Sequence, residues 1–377
     1  MLTLNRRELA GAFGDIGTDL PLLVAVVMAA ELDSANVLTV FGLLQVLTAF
    51  TYRMPMPVQP LKAMTSLVIA QKIAGNILLG AGIAIGVVML VLSLSGILER
   101  LTRLIPQAVV RGLQLGLGIS LCLLASKEYL AAEQVQGYVL AGVAFVVVLV
   151  LSDSRKYPAA LVVIALGLVY AFMFKISPLR FAESFDLQLP TLFTPSLDDI
   201  AKGFVLLAIP QIPLSLSNSI IATKQLSNDL FPTRKDITVQ KIGITYSLMN
   251  LVAPFLGGIP CCHGAGGMMG HYTFGGRSGG SVFIYGLFYL LLGLFFSKGF
   301  MQLIHVFPLP ILGVILFFEG LSLSFLIGDL AEQKRSFFIA LLTGIMAFAL
   351  PYGFAAALVV GTLAYYLPLP FQTLTRQ

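Results

Sequence analysis

The sequence predicts an all-α membrane protein of about fourteen transmembrane segments, arranged as two inverted repeats of seven. Three observations carry this reading. The chain of 377 residues is 58% hydrophobic and only 11% charged, with a mean hydropathy of +0.93; a soluble domain carries about 25% charged residues. Two stretches, RMPMPVQPLKAM at Arg53–Met64 and GGIPCCHGAGGMMGHYTFGGRSGG at Gly257–Gly280, break apolar runs at corresponding places in the two halves. Lysine and arginine gather on alternate loops, as the positive-inside rule requires.

Laid over each other with Pro55 on Pro260, the two breaks agree in kind. Phe41 falls on Tyr246, Leu43 on Leu248, Gln45 on Asn250 and Phe50 on Phe255. Each half has an apolar helix, a proline break, a few residues of irregular backbone and a short helix. Paired broken helices at matching positions point to a transporter's substrate site.

Spans of roughly 20 apolar residues place the segments in order. The first runs from about Leu9 to Ala30, loosened by Gly11, Gly14, Gly17 and Pro21. The second is Asn36–Tyr52, the third a short piece from Pro60 to Ile73, and the fourth Ile77–Leu98. Then come Pro106–Ala125, Val135–Leu151 and a seventh ending at Phe174. Residues 1–174 form the first repeat. A polar connecting loop, 175–199, follows. The second repeat, 200–377, holds Ile200–Thr223, Lys241–Leu256, the broken piece after Pro260, Ser281–Phe296, Met301–Leu326, Ser336–Leu350 and Phe354–Leu369.

With the N-terminus inside, the inner loops carry Arg6, Arg7, Arg100, Arg103, Arg155, Lys156, Arg234, Lys235, Arg277, Lys334 and Arg335. The outer ones carry fewer cations: Lys72, Lys127, Lys175, Arg180 and Lys298. Seven segments per repeat is odd, so equivalent halves have opposite orientations and both termini are expected in the cytoplasm. The formal charge of +5 sets orientation and is no sign of nucleic-acid binding. Asp15 and Asp19, following Arg6 and Arg7, rule out a signal-peptide core. Cys122, Cys261 and Cys262 lie in apolar sequence, and no disulfide framework is expected.

Non-helical backbone at membrane depth is tolerated where it lines a wet cavity or is buried in protein. A half-helix that starts there turns free N–H groups and the positive end of its dipole into the cavity. Two such starts, one at Gln59, Pro60 and Leu61 and one at His263, Gly264, Ala265 and Gly266, could hold an anion through backbone. Gln59 and Gln211 would add neutral donors. The glycines and prolines alone could also serve tight helix packing.

Other residues admit two readings. Asp15 and Asp19 are intramembrane carboxylates and therefore candidates for ion coupling, or they cap broken backbone. His263, with an ordinary pKa of about 6.5, is the first choice for carrying the coupled proton; otherwise it donates a hydrogen bond to the substrate or pins the break. Lys62 attracts the anion or snorkels to the surface. Asn218 is a ligand or a helix–helix hydrogen bond. Cys261, Cys262 and His263 resemble metal ligands, but adjacent cysteines diverge and no second pair has zinc spacing; no metal or cofactor is expected. Gly276–Gly280 formally fits a nucleophile elbow, which would make Ser278 the nucleophile of an intramembrane hydrolase with His305 as its base.

PVQP at Pro57–Pro60, PQIPLSLSNSIIA at Pro210–Ala222, LSNDLFP at Leu226–Pro232 and PCCHGAGGMMGHYTFGGRSG at Pro260–Gly279 resemble the molybdate transporter family of the sulfate-permease superfamily. The resemblance spans nearly the whole chain. It implies a core domain of segments one to four and eight to eleven, a gate domain of the rest, and substrate between the third and tenth. It also implies no cytoplasmic regulatory domain, since the chain ends at Gln377. The expected function is a secondary active importer of molybdate, or of sulfate or tungstate, in the cell membrane. An inside-negative potential of about 100 mV opposes a dianion by about 4.6 kcal/mol, so a coupled cation is expected, the proton first. A homodimer is compatible with such a chain.

Overall fold

Several helices start where the sequence supplies a cap or a proline. The computed structural model describes residues 2–98, 104–151, 159–174 and 185–367. Helix α1 (Arg6–Ala12) is capped by the Asn5 side chain, and α2 (Ile16–Ala29) follows after a bend of 40°. Asp33 accepts from the Ala35 and Asn36 N–H groups to start α3 (Ser34–Tyr52). Strand β1 (Val58–Pro60), α4 (Lys62–Gln71) and α5 (Gly75–Leu94) come next. Pro106 precedes α6 (Gln107–Leu124), which continues as a π turn to Tyr129. Then α7 (Gln134–Leu151) and α8 (Ala159–Phe174) complete the first half.

The second half opens on α9 (Leu197–Leu230), started by a capping box between Ser196 and Asp199. Two π stretches, Phe204–Ala208 and Ser215–Ala222, flank Pro210 and Pro213. A proline inside a helix lacks its N–H and clashes with the carbonyl four residues back; wider π turns absorb that misfit. After α10 (Val239–Val252) come β2 (Cys261–His263), α11 (Ala265–Thr273), α12 (Gly280–Val306), α13 (Leu309–Phe325), α14 (Lys334–Ala349) and α15 (Gly353–Tyr366).

Among the described residues, seven helices are long and apolar enough to cross a membrane, or eight with the bent α1–α2 pair as one span. The fold is thus that of a mostly helical membrane protein. Helices α4 and α11 have only 10 and 9 residues, or about 15 Å each at 1.5 Å per residue. Each therefore crosses only half of an apolar layer about 30 Å thick.

The eleventh segment breaks at Phe296, where the sequence suggests its end: Phe296 leaves helical geometry (φ −129°) and divides α12 into two helical stretches, the second ending before Phe307 and Pro308. The loop before α9 occupies the kink: the Asp186 and Gln188 N–H groups donate to the Phe295 and Leu294 carbonyls at 3.1 and 2.8 Å. Arg100, Arg103, Arg155, Lys156, Lys175 and Arg180 lie outside the described residues, as do residues 175–184 of the connecting loop and the predicted end of the last segment.

Two groups of helices are visible in the packing. In one, α3 lies along α12, and α5 packs against α9 and α10. In the other, α6 packs against α13 and α14, α14 against α15, and α7 joins α8 and α13. Close approach of α3 to α12 depends on Gly42 and Gly286: a Cβ on Gly42 would lie 2.4 Å from the Leu290 nitrogen. The broken elements β1–α4 and β2–α11 belong to the first group and face the second.

Strands β1 and β2 pair antiparallel, Val58 with His263, Gln59 with Cys262 and Pro60 with Cys261. Each is clamped by a buried amide. Gln45 bonds both backbone groups of Val58, at 2.7 and 2.8 Å, and Asn250 does the same for Cys261, at 2.7 and 2.9 Å. Val58 lies 13 residues after Gln45, whereas Cys261 lies 11 after Asn250. The first break thus holds two extra residues, and the overlay with Pro55 on Pro260 goes out of step beyond the clamp.

Candidate functional site

The antiparallel pairing puts the starts of α4 and α11 at opposite ends of the short ladder, α4 beyond Pro60 and α11 beyond His263. In the first turn of α4, Thr65 N–H is the first to reach a helical carbonyl, that of Leu61 at 2.8 Å. Met64 N–H is taken by the Gln211 side chain at 3.1 Å. The Lys62 and Ala63 N–H groups have no intrahelical partner. In α11, Met268 N–H is the first to close, onto the Gly264 carbonyl at 3.1 Å, which leaves Ala265, Gly266 and Gly267 in the same position. Between these ends lies a cavity of about 340 Å³, within the range of small-molecule sites, about 300–1,000 Å³.

Of the residues singled out in the sequence, Gln59, Gln211, Gly264, Ala265 and Gly266 line this cavity, together with Lys62, Gln114, Asn218 and Ser219. Pro60, Leu61 and His263 do not. Alternation along a strand turns neighbours to opposite faces, so Cys262 faces the cavity and His263 faces away. The His263 ring meets Tyr52 edge-on at 5.0 Å, and its Nε2 bonds the Thr245 hydroxyl at 2.9 Å. Leu61 is fully buried, and Pro60 pairs with Cys261.

Neither glutamine is a loose donor. Gln59 gives an N–H to Asp15 at 2.5 Å, and its carbonyl oxygen lies over Gly264, where a Cβ would come within 1.5 Å. That contact explains why position 264 is glycine. Gln211 accepts from Met64 and donates to the Ser215 hydroxyl at 3.0 Å, which bonds the Tyr246 hydroxyl at 2.8 Å. Gln211 thus ties α9 to the start of α4.

Lys62 does not snorkel. Its ammonium pairs with Glu319 of α13 at 3.1 Å, beside the cavity. Asp15, the residue before α2, makes no side-chain cap bond; its carboxylate turns inward to Gln59. Asp19 is fully buried and accepts from the Tyr285 hydroxyl at 3.3 Å, with its other oxygen unpartnered. Both acids act electrostatically on Lys62. The cavity therefore has one ammonium in its wall and three carboxyl groups around it. Glu319 escaped the sequence reading although an acid inside an apolar span is a signal by itself. Gln114 and Ser219 carried no such signal: a single amide or hydroxyl in a span is ordinary.

Ser278 is occupied otherwise. Its hydroxyl bonds that of Thr3 at 2.9 Å, and Glu8 accepts from the Arg277, Ser278 and Ser281 N–H groups at 2.9–3.0 Å. Ser278 precedes α12 and His305 sits at its far end, about 37 Å along the axis at 1.5 Å per residue, so His305 cannot serve it as a base. Among the described residues, no three His, Cys, Asp or Glu side chains are placed to hold a metal. A second cavity, of about 200 Å³ between α2, α8, α12 and α13, is walled by apolar side chains and offers an anion nothing.

Comparison with known proteins shows the family and the fold. A family model described as "Molybdate transporter of MFS superfamily" matches residues 7–121 and 203–323. The chain is 32% identical to Molybdate transporter 1 of Arabidopsis thaliana, over 95% of this chain and 87% of that protein. Molybdate transporter 2 of the same plant is also 32% identical, over 88% and 80%. Among solved structures, the transmembrane domain of a cyanobacterium bicarbonate transporter, BicA, superimposes with a TM-score of 0.68 at 16% identity, over 96% of this chain and 97% of that one. The murine Slc26a9 anion transporter in the inward-facing state gives 0.69 at 12% identity, over 99% and 69%. The fold is that of these anion transporters, and the chain belongs to the molybdate transporter family.

Proposed function

We propose that this protein is a secondary active importer of a tetrahedral oxyanion, molybdate first, that binds between the starts of α4 and α11. One observation carries the reading: two half-helix N-termini and the Lys62 ammonium converge on one polar cavity between two groups of helices. Partial positive charge at helix starts favours anions. No enzymatic step is needed. The group holding β1–α4 and β2–α11 acts as the core, α6–α8 with α13–α15 as the gate, and rocking of one against the other gives alternating access. Residues 1–174 and 200–377 are read as seven-segment inverted repeats, with 175–199 outside the cell and both termini in the cytoplasm. The matching clamps of Gln45 and Asn250 support the repeat.

The charge balance around the cavity favours proton coupling. Asp15, Asp19 and Glu319 surround a single Lys62. A dianion adds two more negative charges there, and entry against about 100 mV costs about 4.6 kcal/mol. Protons carried on Asp15 and Asp19 relieve both. These acids are better placed than His263, whose ring faces away from the cavity.

The test is uptake of labelled molybdate into proteoliposomes, with tungstate, sulfate, bicarbonate and uracil as competitors. Molybdate uptake blocked by tungstate and less by sulfate supports the reading. Stronger block by sulfate makes this a sulfate transporter. Uptake blocked only by uracil or bicarbonate refutes the oxyanion assignment.

A further inference from the structure

Lys62 is the cation of the site, yet its partner does not belong to the site. Glu319 comes from α13, in the opposite group of helices. It lies on the face of α13 that also presents Leu323 and Leu326 to the cavity, one and two turns further along. Lys62 lines the cavity, and Glu319, 19% exposed, meets its ammonium from the opposite wall at 3.1 Å. Asp15 and Asp19 also act on Lys62, but they sit at the start of α2, which packs on α4. Glu319 is the acid whose hold on Lys62 spans the gap.

We propose that Glu319 is an internal competitor for the Lys62 ammonium, exchanged for the oxyanion in each transport cycle. The inference rests on the oxyanion reading of the cavity. A dianion seated on the starts of α4 and α11 lies beside Lys62 and repels the Glu319 carboxylate. Burial in a low dielectric makes that repulsion strong, so the two anions do not share the ammonium. Binding of substrate therefore frees α4 from α13. In the substrate-free carrier Glu319 takes Lys62 back, so that the carrier returns across the membrane with its ammonium directly paired. Helix α4 also packs directly on α6 of the other group, and Lys72 pairs with Glu128 at 2.8 Å, but that pair is half-exposed or more and such surface pairs contribute little; the Lys62–Glu319 pair is the charged tie that substrate can replace.

Two readouts of the full-length protein test this. Molybdate is titrated calorimetrically into wild type and Glu319→Gln in nanodiscs. Removing the competitor should tighten binding by about ten-fold, the value of one charge-assisted hydrogen bond. In proteoliposomes Glu319→Gln should keep exchange of external for internal molybdate but lose net uptake into molybdate-free vesicles. A merely structural tie would lower both rates together. Glu319→Asp is the second variant, should the first not fold: it keeps the charge with a shorter reach, and should bind more tightly than wild type while retaining net uptake. Wild-type affinity with equal loss of exchange and net uptake, in whichever variant folds, overturns the proposal. Failure of the wild type to bind molybdate, tungstate or sulfate overturns the site reading beneath it, and is told apart because no variant is needed to see it.

Discussion

Gln45 and Asn250 do the same work at opposite ends of one small sheet. Each is fully buried, and each holds the N–H and the carbonyl of one strand residue, Val58 or Cys261. The two breaks are therefore rigid. Buried backbone without a partner is expensive, and each amide supplies both bonds that a helix would have supplied.

Removing a clamp should cost stability and binding together. Gln45→Ala or Asn250→Ala leaves a buried N–H and a buried carbonyl unpaired, at about 1–3 kcal/mol each. Asn250→Asp sets a carboxylate oxygen against the Tyr246 and Cys261 carbonyls that now accept from the amide and buries a charge, so its loss should be at least as large. Thermal unfolding in detergent measures the first effect and molybdate titration the second. Unchanged melting in both alanine variants would show that the clamps are idle.

Gly264 and Gly266 should answer to alanine in opposite ways. At Gly264 the new Cβ meets the Gln59 oxygen at 1.5 Å, whereas at Gly266 it meets nothing within 4 Å. Gly264→Ala should displace Gln59 from Asp15 and abolish uptake. Gly266→Ala should fold normally and narrow the cavity, weakening molybdate by roughly ten-fold, the value of one misplaced methyl group, and sulfate less. Ala265→Val should act in the same direction. Equal losses for the two anions would mean that size is not the filter.

The pH response of uptake should map to the α1–α2 break. With an acid exterior imposed on proteoliposomes, wild type should accelerate, and Asp15→Asn or Asp19→Asn should lose the acceleration. His263→Gln should keep it. Asp236, in the loop before α10, serves as a control. The hydrogen bond from Arg234, and then that from Lys241, hold its carboxyl well below the ordinary carboxylate range. A lowered pKa contributes stability above the ordinary value of about 3.9 that is lost only as pH falls towards the folded one. Asp236→Asn should therefore leave the profile between pH 5 and 8 unchanged. Uptake driven by sodium and indifferent to the pH gradient would exclude proton coupling.

Ser278 and Glu8 should separate structure from chemistry. Ser278→Ala removes the hydroxyl that bonds Thr3 and accepts from the Thr3 and Gly280 N–H groups; at about 1 kcal/mol each it should lower the melting temperature but leave the transport rate of the folded protein within about two-fold. Glu8→Ala removes the acceptor for three N–H groups before α12 and should lower the melting temperature markedly. Loss of transport in Ser278→Ala with unchanged melting would reopen a chemical role for that serine.

The sequence by itself determined the membrane class, the two breaks and most of the helices, because span length and charge placement are local properties of a chain in lipid. It also singled out Gln59, Gln211, Gly264 and Gly266 of the cavity lining, since these stand at or beside the proline breaks, but not Gln114, a lone amide within a span. The pairing of Gln45 with Asn250 was legible from the overlay of the two breaks. Only the tertiary structure decided how the charges are shared. Glu319 is 257 residues from Lys62, and nothing local says which acid meets which cation. His263 and Cys262 are neighbours in sequence, yet strand alternation sends one into packing and the other to the cavity. The break at Phe296 was legible in sequence, but not that the connecting loop, far off in the chain, satisfies the carbonyls of Leu294 and Phe295 that open there.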